Sequence, residues 1–261
     1  DSGIVFGGSP TPTATEEWTG AGQPIGAWST GGSLNTARAV QSGSGTYTSA
    51  LMFAADAPPT AQLTETYNGT NWTEVNDLNT AVIKSVGFGA TQSGAIRTTG
   101  DSGGYTGITE QWDGTNWTTV NSTNQAREQV GSVSGSVTAG LIFGGQGPPP
   151  MQSVTELWNG TNWTEVNNLN TARSQMAGFG TSTASFAVGG SEPTLSAKTE
   201  DWNGSSWAET SDLSTARTNI SSARAGTPSN GLVYGGSAPS VTAATEEWSG
   251  SSIATKTVST D

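Results

Sequence analysis

The chain contains no cysteine and no histidine among its 261 residues, and only 9 lysines and arginines stand against 21 aspartates and glutamates. The missing cysteine removes any disulfide framework and any thiolate nucleophile, and leaves the compartment unreadable from redox chemistry. The missing histidine removes the commonest general base and metal ligand. A net charge of -12 argues against a nucleic-acid or anionic-membrane partner, since both recruit basic surfaces. No apolar run approaches the roughly 20 residues that span a bilayer, so no membrane insertion is expected. No helical periodicity follows any glycine-rich stretch, so those glycines lack the helix N-terminus that a phosphate cradle needs. No catalytic residue, metal ligand or cofactor is expected. Neither an initiator methionine nor a signal peptide opens the chain, which begins at Asp1 inside an apparent strand. It reads as a portion of a longer polypeptide.

What is present is a repeat. From Val154 to Arg173 the chain reads V-T-E-L-W-N-G-T-N-W-T-E-V-N-N-L-N-T-A-R, two alternating runs joined by Asn159-Gly160. Asn-Gly in that setting predicts a tight type I′ hairpin turn with positive φ at both central residues. Copies open at Thr64, Thr109 and Thr199, and looser ones at Thr15 and Thr245. Their first aromatics, Trp18, Tyr67, Trp112, Trp158, Trp202 and Trp248, lie 49, 45, 46, 44 and 46 residues apart by subtraction of those positions. Four strand-like pieces recur per unit. A small glycine-rich run (Met176–Gly180) is followed by an apolar run closed by paired glycines (Leu141–Gly145, Phe186–Gly190). The T-E-x-W run and the W-T-E-V run come next, and all ten tryptophans fall on these last two. A period of 40–50 residues with four strands is that of a propeller blade.

Paired glycines closing one strand, an aromatic on the next, a tryptophan on the last and an arginine before the following unit resemble the kelch repeat over nearly the whole chain. The resemblance implies an all-β, six-bladed β-propeller of four-stranded antiparallel blades, ordered outwards from a central axis, with residues 1–261 as one domain. The wording N-G-T-N-W-T-E-V-N-x-L-N-T-A-R is also similar to repeats of phage and marine viral structural proteins. The WD40 signature does not fit: it requires histidine, and the one Trp-Asp, Trp112-Asp113, falls at a hairpin turn. Departures from the pattern include Ala54-Ala55 and Thr99-Gly100 at the double-glycine position, and Val82 where other units place arginine. Ile4–Gly8 reads as a second strand with no inner strand before it. At the other end, Ser251-Ser252-Ile253-Ala254 repeats the fourth-strand opening Ser205-Ser206-Trp207-Ala208. The first blade is therefore expected to lack its inner strand, which sequence outside the chain, a partner chain or water would replace. A competing arrangement folds Ala254–Ser259 back into that place.

Each T-E-x-aromatic strand carries a glutamate two residues before its aromatic: Glu16, Glu65, Glu110, Glu156, Glu200 and Glu246. Two residues along a strand is the same face, so these carboxylates point into a blade seam and need partners there. Arg38, Arg127, Arg173 and Arg217 are the expected partners, forming a structural ion-pair network. Lys84 is expected to serve Glu65, or else Glu65 to be exposed. The alternative for the glutamates is a catalytic or calcium-binding ring, and for the tryptophans a sugar-stacking set. Asn-x-Ser/Thr triplets at Asn68, Asn71, Asn116, Asn162 and Asn203 sit at hairpin turns, where turn chemistry accounts for them without a glycan.

The connections between second and third strands differ most between units, and antiparallel geometry brings them out on one face. Recognition concentrates on variable loops over a rigid scaffold, which points to Asp56, Pro58, Asp101, Tyr105, Pro149, Met151 and Glu192 as ligand-binding residues. Unconstrained drift of those loops is the other reading. The expected function is a non-enzymatic binding or structural module of a virion or cell surface, such as a phage appendage. Its partners would be other structural proteins or a host surface protein or glycan, in an oligomer or larger assembly. The alternatives are a carbohydrate-active propeller enzyme and a kelch protein-interaction adaptor. Against the enzyme, kelch-like copper oxidases need cysteine and histidine, which the chain lacks, and most of its arginines belong to the repeat.

Overall fold

Each of the six T-E-x-aromatic copies forms a strand of its own antiparallel sheet. The computed structural model describes residues 2–6, 15–19, 28–39, 42–55, 59–148 and 151–250, with backbone alone for 2–6, 15–19, 28 and 29. The first sheet joins β1 (Ser2–Phe6), β2 (Thr15–Thr19) and β3 (Trp28–Thr30). The second holds β4 (Ser42–Thr46), β5 (Ser49–Phe53), β6 (Thr64–Tyr67) and β7 (Trp72–Glu74), and the third β8 (Val86–Thr91), β9 (Gly94–Asp101), β10 (Tyr105–Trp112) and β11 (Trp117–Val120). The fourth holds β12 (Gly131–Ser132), β13 (Gly140–Phe143), β14 (Thr155–Trp158) and β15 (Trp163–Val166). The fifth holds β16 (Ala177–Gly180), β17 (Ser185–Val188), β18 (Thr199–Trp202) and β19 (Trp207–Glu209). The last joins β20 (Ser221–Ser222), β21 (Asn230–Tyr234) and β22 (Thr245–Ser249).

Every sheet is a simple meander, and the innermost strands β4, β8, β12, β16 and β20 contact one another in series. The chain is a β-propeller of four-stranded antiparallel blades. Among the described residues, the five sheets from β4 to β22 pack as successive blades. The three strands β1–β3 make a further sheet that begins at the second-strand position and, among the described residues, has no inner strand. The alternative closing strand, Ala254–Ser259, and the fourth-strand copy at Ile253 lie outside the described residues.

The core is divided among the seams. One cluster joins Leu51, Phe53 and Leu78 to Ala95, Trp112 and Trp117 of the next blade. The next joins Val86, Phe88 and Ile96 to Ile142, Trp158 and Trp163, and a third joins Leu141, Phe143 and Leu169 to Ala187, Trp202 and Trp207. The repeated aromatics face each other across the third and fourth strands, with ring centroids 5.5 Å apart for Trp112–Trp117 and 5.3 Å for both Trp158–Trp163 and Trp202–Trp207. The fourth-strand indoles also stitch blade to blade. Trp117, Trp163 and Trp207 donate Nε1–H to Oγ1 of Thr64, Thr109 and Thr155 at 3.0, 3.1 and 2.9 Å. Seam filling, rather than exposed stacking, is the role of these buried rings.

The Asn159-Gly160 hairpin is not the expected two-residue type I′ turn. Trp158 pairs with Trp163 across a four-residue loop, and only Gly160 has positive φ, at 94°. Asn159 Oδ1 accepts the backbone N–H groups of Thr161 and Asn162 at 2.9 and 2.8 Å. The asparagine side chain closes the loop by mimicking a backbone turn, and Asn68, Asp113 and Asn203 do the same.

Candidate functional site

The recurrent glutamates and arginines meet. Arg127 Nη2 reaches Glu156 Oε1 at 2.8 Å, Arg173 reaches Glu200 at 2.8 Å and Arg217 reaches Glu246 at 2.7 Å. Arg38 likewise bonds Glu65. In each case the arginine that ends one unit serves the carboxylate of the next. In three of these pairs the other carboxylate oxygen is held by a residue the sequence reading did not single out, the asparagine three places before the arginine, while the Ser214 N–H takes that place on Glu246. Asn124 gives Glu156 Oε2 both its backbone N–H and its Nδ2–H at 2.7 Å, and Asn170 does so for Glu200 at 2.7 and 2.9 Å. The guanidinium's other end clips the blade: Arg127 Nη1 donates to the carbonyls of Gly144 and Val154, both at 2.7 Å. Burial pushes the Arg127 guanidinium below its ordinary pKa, while Glu156 opposes that shift. The carboxylates of Glu65, Glu156 and Glu200 are fully buried among such donors, whereas Glu246 keeps part of its side chain exposed. The side chain of Glu16 lies outside the described residues.

The third unit corrects the expectation for Lys84. Lys84 Nζ bonds Glu128 Oε1 at 3.0 Å rather than Glu65, and Glu65 is fully buried against Arg38. Glu110, which follows the unit ending in Val82, is served instead by Arg97. Arg97 stands opposite Glu110 in the β9–β10 register, where the other blades place Met52, Ile142, Ala187 and Val233 opposite their glutamates. The signal was present in the sequence: a lost arginine and an arginine gained at an apolar position, both ahead of the same carboxylate.

On the face of the second-to-third-strand connections, those of the last four sheets are tied at their base to the segment entering the blade. Backbone bridges join Ile83 to Asp101, Glu128 to Gln146, Ser174 to Ser191 and Thr218 to Ser237. Next to these bridges a second set runs from blade to blade. Gln129, Gln175 and Asn219 donate N–H to the carbonyls of Lys84, Gln129 and Gln175 at 3.2, 3.0 and 3.1 Å. All four of these residues have φ between 52° and 58°.

Of the loop residues singled out for ligand binding, Asp56, Pro58 and Pro149 lie outside the described residues. Two others are engaged within their own loops. Asp101 Oδ1 caps the N–H groups of Gly103 and Gly104 at 2.9 and 2.7 Å, and Glu192 holds Ser196 at 2.8 Å and Lys198 at 3.0 Å. Met151 is half-buried and bridges to Gln146. Tyr105 is 45% exposed, and Val241, which the sequence reading passed over, is 88% exposed on the corresponding connection of the last sheet. The loop face thus offers apolar and uncharged groups on a fixed base, with its acids turned inward to the loops.

Among the described residues, no group of three or more acidic side chains is placed to hold a metal ion, and no helix is long and apolar enough to cross a membrane. A cavity of about 600 Å³ follows the seam between β16–β19 and β20–β22 and borders Gly250, the last described residue. A smaller one of about 250 Å³ lies among the inner strands and is lined by Ser132, Gly178, Ser222, Arg224 and Tyr234.

No protein-family model matches the chain, and no curated protein sequence matches it. Its fold is similar to that of the solved structure of YjhT, with a TM-score of 0.74 at 12% identity, covering 94% of this chain and 90% of that one.

Proposed function

We propose that the protein is a non-enzymatic binding module, a rigid propeller that presents variable loops on one face to a host surface protein or glycan. It would work at a virion or cell surface as part of a larger assembly. The observation that carries this reading is the base of that face. Every described connection except that of the second sheet is pinned by a backbone bridge, while the connections differ in length and composition and expose Tyr105 and Val241. Variation confined to loops over a fixed frame is how scaffolds carry recognition. The repeated carboxylates support the same reading, because arginine and asparagine saturate them inside the blades.

The test is binding to a glycan array and to candidate host cells, alongside an assay for turnover of every glycan bound. The proposal expects retention without turnover, weakened by Tyr105→Ala and Val241→Ser with the melting temperature unchanged. Turnover that persists in purified protein would favour the carbohydrate-active enzyme. Binding indifferent to both loop substitutions would move recognition off this face.

A further inference from the structure

The inner strands carry small residues where they crowd the axis, with one exception. Register sets Ser42, Val86, Gly131, Ala177 and Ser221 at one level, opposite Phe53, Thr98, Phe143, Val188 and Tyr234. Three residues further along stand Gly45, Gly89, Ser134 and Gly180 in four blades, and Arg224 in the last. Its side chain runs into the axial cavity and donates Nη1–H to the Gly87 carbonyl of the third blade at 2.5 Å. Each of the other seven described lysines and arginines forms an ion pair with a carboxylate. Arg224 has none.

The same cavity holds further polar groups without protein partners. Ser132 Oγ is buried and makes no hydrogen bond. Ser132 and Gly87 occupy equivalent levels of neighbouring strands, opposite Ile142 and Arg97, so the Gly87 contact brings the guanidinium to the level of the unpaired hydroxyl. Tyr234 also lines the cavity and is 41% exposed. From these groups we infer that the axial channel binds a small organic carboxylate, held by the free N–H groups of Arg224 and by the Ser132 hydroxyl.

A planar carboxylate matches a guanidinium edge through two parallel hydrogen bonds. A monoanion suits the site better than a phosphate dianion, because one cation faces the ligand within a protein of net charge -12. Burial without a neighbouring carboxylate also holds the Arg224 guanidinium below its ordinary pKa, a shift that a bound anion would reverse. The volume of about 250 Å³ limits the ligand to the size of a simple organic acid. This site is separate from the loop face and does not depend on what that face recognises.

The probe is sodium acetate titrated at constant ionic strength against chloride, with sodium phosphate as a second arm. Binding is followed through the Arg224 side-chain NMR signals and by thermal shift. Saturable perturbation of Arg224 by acetate, stronger than by phosphate, is expected in the unmodified protein. Arg224→Gln should weaken acetate binding at least about tenfold, and Ser132→Ala severalfold, as expected for charge-assisted and neutral hydrogen bonds. Signals unmoved by acetate, a response equal to that of chloride, or tighter binding of phosphate would each overturn the assignment. The direct measurement on the unmodified protein decides the matter even if Arg224→Gln fails to fold.

Discussion

Arg97 and Glu110 face each other across neighbouring strands of the third blade, both fully buried, and form the one glutamate–arginine pair among the described residues whose cation comes from a strand. In the other described blades it comes from the segment that leads into the blade. The chain has moved the charge without losing it: Val82 is buried where an arginine would enter, and Arg97 supplies the guanidinium from the opposite side. Asn79 still gives Glu110 Oε2 its backbone and side-chain N–H groups at 2.7 and 2.9 Å. This node, like those of Glu65, Glu156 and Glu200, therefore consists of a carboxylate, an asparagine and one guanidinium, and the origin of the guanidinium is free to vary.

Trp163 tests the seams. Trp163→Ala removes a buried ring between two blades and should cost about 3–5 kcal/mol. Trp163→Phe keeps most of the apolar volume but leaves Thr109 Oγ1 without the indole N–H, and should cost about 1–3 kcal/mol. Denaturant unfolding of both variants measures the difference. Equal costs would mean that the hydrogen bond contributes nothing.

Equivalent positions after the second strand should respond with opposite signs. Ala54 adopts φ 62°, and Gly144, Gly189 and Gly235 adopt 63°, 64° and 65° at the same place. An alanine there carries about 1–2 kcal/mol of left-handed strain, so Ala54→Gly should be neutral or stabilising by up to about 1 kcal/mol after its greater unfolded-state entropy is counted. Gly144→Ala adds the same strain, and its new Cβ would meet Met176 Cε at 2.3 Å and the Arg173 carbonyl at 2.4 Å. It should cost about 2–4 kcal/mol. Thermal melts of the two variants side by side check the sign.

Much of the propeller was legible because its signals are local and repeated. Glycine pairs, aromatic anchors and glutamates at fixed offsets require only strand periodicity to be read. The Asn159 turn was misread because Asn-Gly fits two hairpin types, and the choice rests on the side-chain bonds from Asn159 Oδ1 to Thr161 and Asn162. Arg97 was missed because repeat alignment looks for arginine at the arginine position. Its replacement lies across a strand pair, a relation visible only once the β9–β10 register is known. Lys84 was expected to serve Glu65, but it adopts a left-handed φ of 52° at the entry to its blade, where the two-residue alternation of a strand does not place its side chain.

Two aspartates should titrate on opposite sides of the ordinary carboxylate range. The N–H groups of Asn116 and Thr115 lower the Asp113 pKa, whereas burial raises that of Asp201. Asp113 thus adds stability that is fully present above its unfolded pKa and is lost as pH falls through its lower folded value. Asp201 acts in reverse: ionising a half-buried carboxyl costs stability as pH rises through its folded value. Carboxyl-carbon NMR across the acid range should show Asp201 titrating before Asp113 as pH falls.

The most direct measurement moves the third-blade cation back to the entry position. Arg97→Ile reproduces the residue found opposite Glu156 and should cost about 3–5 kcal/mol, because Glu110 is left buried without a counter-charge. Val82→Arg alone should also destabilise, since it forces a second guanidinium beside one already paired. Combining the two restores one cation per carboxylate, and the double variant should be more stable than either single one by at least about 2 kcal/mol in a double-mutant cycle read by denaturant unfolding. Additive losses in the double variant, or an Arg97→Ile cost below about 1 kcal/mol, would contradict the claim that the blades of Glu65, Glu110, Glu156 and Glu200 are each built around one buried carboxylate and one guanidinium.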